Sequence, residues 1–143
     1  MQKMPIFPIP GNGKYMRQPL YVGDFCNIII SCLEQKPKQK IYNISGREKI
    51  DYIDIIRSIK KVINSKTLII KIPYLLFYIL LKIWVIFDKN PPFTASQLKA
   101  LVADDEFEVI DWPEIFNVQP TDFNKALQET FCDERYSKVI LKF

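Results

Sequence analysis

The sequence contains no histidine and only four glycines in 143 residues. The first absence removes the commonest general base and the commonest metal ligand. The second leaves Gly11, Gly13, Gly23 and Gly46, none of them spaced as G-x-G-x-x-G or G-x-x-G-x-x-G. A dinucleotide needs such a turn between a strand and a helix N-terminus to seat its pyrophosphate, so no cofactor-binding residue is assigned. Gly11-Asn12-Gly13 runs on into Lys14-Tyr15-Met16-Arg17 with no helix start. The three cysteines, Cys26, Cys32 and Cys132, form no C-x-x-C pair, which argues against zinc or any other metal site. Cys26 and Cys32 fall in an apolar helical stretch, where a small buried thiol is the default. No secretory signal opens the sequence, so a reducing, cytoplasmic compartment is the expectation.

What is present describes a globular chain. Hydrophobic residues make up 48% and charged residues 25%, and the length suits one domain with a real core. A single partial domain over 1–143 is expected, with the tail 136–143 unassigned. The net charge of +4 is mild. Lys36, Lys38 and Lys40 cluster in what reads as a solvated turn, and no nucleic-acid partner is expected.

Local patterns divide the chain. Spaced prolines keep Met4 to Pro10 out of a helix, and Asn12-Gly13 marks a turn. Asp24 is placed as the cap of a helix from about Phe25 to Gln35. Ile41 to Ile44 reads as a buried strand closed by Ser45-Gly46. Asp51 caps the clearest amphipathic helix, with Tyr52, Ile55, Ile56, Ile59, Val62 and Ile63 at helical spacing. Thr67 to Ile72 should be a strand, and Pro73 opens a helix from Tyr74 to Phe87. Thr94 and Gln97 have capping-box spacing, and Thr121 is read as the cap of a last helix. Strands alternate with helices, which favours an α/β arrangement. The strands are few, so the chain reads as part of something larger.

From Gly11 to Asp24 the sequence G-N-G-K-Y-M-R-Q-P-L-Y-V-G-D resembles the extended short-chain dehydrogenases/reductases. In that family a Gly-rich turn is followed by an arginine, an extended apolar segment and Val-x-Asp opening a helix. Ile41-Tyr42-Asn43-Ile44-Ser45-Gly46 with Glu48 is similar to a later strand and turn of the same family. Gln18 to Asp24, Thr94 to Val102 and Val118 to Phe123 resemble its atypical branch, and the likeness runs loosely over Ile6 to Phe131. It implies an α/β fold. The chain would be the C-terminal substrate-binding portion of an NAD-dependent epimerase/dehydratase, with a few strands and about five helices, lacking the N-terminal Rossmann half. It implies a nucleotide-sugar substrate, with Arg17 on the diphosphate, where a guanidinium pairs bidentately with phosphate oxygens. It implies NAD or NADP for the full-length protein, supplied by the missing half or a homologous subunit. Asn43 and Ser45 end the strand that in the family faces the cofactor crevice, though a turn role suits each better.

Tyr78 and Lys82 have the Tyr-x-x-x-Lys spacing of the family's chemistry. They lie after the blocks that should follow catalysis, in a wholly apolar helix, so no catalytic residue is assigned. That helix carries three readings. It is a buried helix of the substrate lobe or a subunit contact, a peripheral membrane contact through Tyr74 to Phe87, or a span. About 15 residues at 1.5 Å each give roughly 22 Å, short of the ~30 Å of hydrocarbon, which ranks spanning last. The functional expectation is a substrate-side fragment of a nucleotide-sugar epimerase, dehydratase or reductase, inactive alone. The alternative is a non-catalytic relative acting as a membrane-peripheral or scaffold protein.

Overall fold

A computed structural model of the chain describes residues 5–35, 41–88, 93–104 and 107–137. The Lys36, Lys38 and Lys40 cluster and the end of the tail lie outside these residues. In chain order the elements are β1 (Ile6–Pro10), β2 (Met16–Arg17), α1 (Val22–Gln35), β3 (Ile50–Asp51) and α2 (Tyr52–Val62). They continue with β4 (Leu68–Ile72), α3 (Tyr74–Phe87), α4 (Ala95–Val102), α5 (Trp112–Phe116), α6 (Phe123–Cys132) and α7 (Glu134–Ser137). The fold is α/β, helix-rich with few strands, as expected. The short helices α5 and α7 are additional to the five read from the sequence. Two compact units divide the chain: Met1–Arg17 with Asp51–Asp105, and Gln18–Ile50 with Glu106–Phe143.

In the first unit, β1 and β4 pair in parallel from Ile6↔Leu68 to Pro10↔Ile72. Pro8 and Pro10 donate nothing to a ladder, which confines them to a strand with a single neighbour. The amphipathic α2 lays Ile53 and Ile56 over the fully buried Ile9, with Phe7, Ile59 and Ile69 around them. Gly13 has φ +74, and a Cβ there would stand 2.9 Å from Ile53 Cβ, so the chain needs a glycine to pass α2 this closely. Tyr15 then stacks on Tyr52 with ring centroids 5.1 Å apart. Asp51 is the N-cap of α2 as read, but its carboxylate caps through no side-chain hydrogen bond. The capping box of α4 forms as spaced: Thr94 Oγ1 accepts from Gln97 N at 3.2 Å, and Thr94 N donates to Gln97 Oε1 at 2.7 Å.

The buried reading of the Tyr74 to Phe87 helix is corrected within this chain. No residue of α3 is buried, and only Phe77, Tyr78 and Leu81 are half-buried. The cause is composition, since a helix apolar on every side can turn only one side to its own unit. No helix of the described residues is long and apolar enough to cross a membrane. Pro73 stands just before the helix, at its N-cap, rather than inside it.

In the second unit, α1 and α5 bury Ile28, Trp112, Phe116 and Val118 against Leu20, Tyr42, Ile44 and Ile110. Ser31 Oγ donates to Phe116 O at 2.6 Å, and Trp112 Nε1 donates to Ser45 O at 3.1 Å. Asn117 ends α5 in the left-handed region at φ 52, a conformation asparagine tolerates. Four local readings are revised here. Ile41 to Ile44 is irregular backbone, because Tyr42 and Ile44 reach the core as side chains without a partner strand. Asp24 lies inside the first turn of α1, which begins at Val22, so it does not cap that helix. Asp122, not Thr121, caps α6 by accepting from Asn124 N and Lys125 N. Cys26 is exposed and Cys32 only half-buried, because the core face of α1 is taken by Ile28 and Ser31.

Candidate functional site

A large concavity belongs to the second unit. It encloses about 700 Å³ between the segment Pro19 to Asp24, the turn Gly46-Arg47-Glu48, Trp112, and the stretch from Pro120 to Phe131. Each wall has a local cause. Gly46 sits so close to Pro19 that a Cβ would lie 2.1 Å from its carbonyl oxygen, so the turn requires glycine. Gln18 Nε2 also donates to Gly46 O at 3.2 Å, which holds the turn against the start of the opposing wall. Asp24 is buried, and its two carboxylate oxygens accept from Thr121 N at 2.9 Å and Thr121 Oγ1 at 2.6 Å. That pair of charge-assisted bonds ties the first turn of α1 to the approach of α6.

The lining carries a guanidinium at Arg47, a phenol at Tyr21, and the rings of Trp112, Phe123 and Phe131. Burial pushes the Tyr21 phenol up to about 12, helped by the Glu129 carboxylate that accepts its hydrogen bond. Tyr21 is therefore neutral through the physiological range, its one proton given to Glu129 and its oxygen left to accept. The lining also carries the carboxylates of Asp24, Glu48 and Asp122. Arg47 is thus the one cation of the lining that could meet an anionic group, while the rings suit a flat apolar part. They are groups that bind and orient.

Arg17 lies in the first unit and lines no part of this cavity. Its Nη1 donates to Met16 O and Ala103 O, each at 2.7 Å, and its Nη2 donates to Leu101 O. Leu101 and Ala103 lie at the C-terminal end of α4, where carbonyls lack helical partners and a cation meets the negative end of the dipole. Its guanidinium carbon also stands 5.3 Å from the Tyr15 ring centroid. Tyr78 and Lys82 stay together on α3, with Lys82 Nζ over the Tyr78 ring at 5.6 Å. Asn43 is exposed, while Ser45 is buried with its hydroxyl unpartnered.

Sequence reading missed Arg47 and Tyr21. The available signal for Arg47 was its place directly after Gly46, a cation next to a turn that only glycine can make.

No protein-family profile and no curated protein matches the chain. Solved structures do. The dTDP-glucose 4,6-dehydratase of Bacillus anthracis, in complex with NAD, superposes with a TM-score of 0.53 at 20% identity, over 87% of this chain and 33% of that one. The triphenylmethane reductase of Citrobacter sp., complexed with NADP(H), superposes at 0.59 with 13% identity, over 85% of this chain and 44% of that one. What the chain shares with these enzymes is the fold. It spans from a third to less than half of their length.

The two neighbours carry NAD or NADP(H), and the described residues do not fit such a cofactor. Gly11 and Gly13 join β1 to another strand rather than to a helix, and Gly13 is committed to the approach of α2. Gly23 packs against the Tyr21 ring. No strand–glycine turn–helix remains among the described residues to hold a pyrophosphate. Among the described residues no group of three His, Cys, Asp or Glu could hold a metal ion.

Proposed function

We propose that this chain supplies the substrate side of an NAD(P)-dependent nucleotide-sugar epimerase, dehydratase or reductase. The observation that carries the reading is the Arg47–Tyr21 cavity, walled by aromatic rings, in a chain with the fold of such enzymes. Arg47 pairs with phosphate, the Tyr21 oxygen, its proton given to Glu129, accepts from a ligand hydroxyl, and an aromatic ring packs on the base or sugar. A separate portion, or a homologous subunit, holds the dinucleotide and the tyrosine–lysine pair. The residues of this chain bind and orient, and none is assigned a bond-making step. Arg17 is retained as a proposed diphosphate ligand on the sequence resemblance alone, and a phosphate there competes with the carbonyls of Leu101 and Ala103.

The test is a calorimetric titration with dTDP-glucose and a set of UDP-sugars, with a triphenylmethane dye as the contrasting ligand. Binding of a nucleotide-sugar is expected, weakened about tenfold or more by Arg47→Ala, the loss of a charged hydrogen-bonding partner. Arg17→Ala in the same titration separates a ligand from a purely structural arginine. Indifference to Arg47→Ala, or binding of the dye alone, sinks the reading. Turnover by this chain alone with NAD would sink the assignment of the cofactor to another portion. A non-catalytic reading is favoured by the exposure of α3, whose surface has its own consequence.

A further inference from the structure

Helix α3 turns a half-buried edge of Phe77, Tyr78 and Leu81 toward its own unit. At 3.6 residues per turn, the rest of its circumference is about 260°, of which an arc of about 200° lies between Lys82 and Trp84. Leu75, Ile79, Ile83, Leu76, Leu80 and Phe87 fill that arc and are all exposed, Leu75 at 67% and Phe87 at 85%. Lys82 stands at one border of the arc and Trp84 at the other. A cation and an indole are the side chains that sit at the level of lipid headgroups when the apolar groups between them enter acyl chains.

The unit that carries the helix is predominantly basic. Its unit carries eleven lysines and arginines against five carboxylate residues, a net charge of +6, whereas the other unit is net negative. A groove of about 510 Å³ in the same unit is lined by Arg57, Lys60, Lys61 and Lys71. Arg57 shares its charge with Asp54 at 2.8 Å, and the groove lining holds no carboxylate. Lys71 is three residues ahead of Tyr74, so chain geometry keeps the groove within about 11 Å of the start of α3. An exposed apolar arc of this extent marks a binding surface. A second copy of the chain would bring two units of +6 together, which opposes pairing through α3. An anionic surface meets no such opposition.

From this combination we infer that α3 and the basic groove dock the protein on an anionic lipid bilayer, the helix lying in the interface and the groove on the headgroups. Neither signal suffices alone: an apolar insertion this short is reversible, and basic residues without insertion are released by salt. The inference does not rest on the nucleotide-sugar reading.

The structure supplies its own probe, because Trp84 is 53% exposed on α3 while Trp112 is buried in the other unit. The full chain is mixed with vesicles of phosphatidylcholine, with or without phosphatidylserine, and followed by flotation and tryptophan emission. Flotation with the phosphatidylserine vesicles is expected, with a blue shift that Trp84→Phe abolishes. Vesicles of phosphatidylcholine alone should bind at least tenfold more weakly. Lys60→Glu with Lys61→Glu, and separately Leu75→Glu with Ile79→Glu, should each reduce binding at least tenfold. All four positions lie outside the core, and an unchanged thermal unfolding transition by circular dichroism reports that the fold survives. Equal binding to both vesicle types, or indifference to both double variants, overturns the inference. So does a stable dimer, without flotation, that Leu75→Glu with Ile79→Glu dissolves.

Discussion

Two stacked phenols, Tyr15 buried and Tyr52 half-buried, show how residue identity sets conditions on this fold. Tyr15 is 4% exposed, its hydroxyl has no hydrogen-bond partner, and burial pushes its phenol up to about 12. The Tyr52 phenol stacked on it is raised as well, again chiefly by burial. A phenol raised above its ordinary value of 10.0 stabilises the folded state fully at pH below 10, where both states are neutral. As pH rises past 10 the unfolded chain ionises first, and the contribution is gone above about 12. Stability should therefore fall between those limits by a few kcal/mol, since each tenfold change in a proton equilibrium is worth about 1.4 kcal/mol. Tyr15→Phe removes the unpaired hydroxyl and keeps the ring stack. We expect it to leave stability at neutral pH unchanged or raised by up to about 1 kcal/mol, and to flatten the alkaline decline. Denaturant midpoints at neutral pH and across the alkaline range check both. A large loss at neutral pH would show that the hydroxyl has a partner after all.

Elements were legible where a local pattern carries its own reason. The Thr94–Gln97 box forms, and the strand read over Thr67 to Ile72 forms as Leu68–Ile72. The helix read over Tyr52 to Ile63 forms as Tyr52–Val62, with Ile53, outside the stripe read, buried beside Ile56. Reading failed where a distant partner decides. Asp24 looked like a cap because aspartate is good at it, but Thr121, 97 residues away, takes both its oxygens. Ile41 to Ile44 looked like a strand because β-prone apolar residues pack well, yet packing on Trp112 and Phe116 needs no ladder. Of the site, the Gly46 turn was seen and Arg47 beside it was not. Arg17 was seen, but its hold on α4 could not be, because nothing local to Arg17 announces Leu101 or Ala103. Helix α4 has only eight residues, too few to stand without support at its ends. Thr94→Ala removes the N-terminal cap and should cost about 1 kcal/mol. Arg17→Ala uncaps the other end at a similar or greater cost. Amide exchange at the buried Leu98 should accelerate in both variants, and unchanged protection in Arg17→Ala would refute the clamp.

Across the molecule the chain is threaded so that neither unit is a continuous segment. The first unit takes Met1–Arg17 from one part of the sequence and Asp51–Asp105 from another. What the first piece contributes is the middle of the core: β1 is the partner of β4 along its whole length, and Ile9 is fully buried between Ile53 and Ile56. Truncating one such isoleucine to alanine costs about 2–5 kcal/mol. Losing the strand removes that contact, the ladder and the Gly13 approach together, more than a small domain holds in reserve. The segment 51–105 expressed alone is therefore expected to lack a cooperative unfolding transition, even though it contains the strongest helix pattern in the sequence. A peptide of residues 5–17 added in trans should restore the transition, since it returns β1, Gly13 and the Tyr15 stack. Circular dichroism during thermal unfolding reads both arms. A sharp transition in segment 51–105 without the peptide would mean that α2, β4, α3 and α4 make a core of their own, and that β1 covers it rather than completes it.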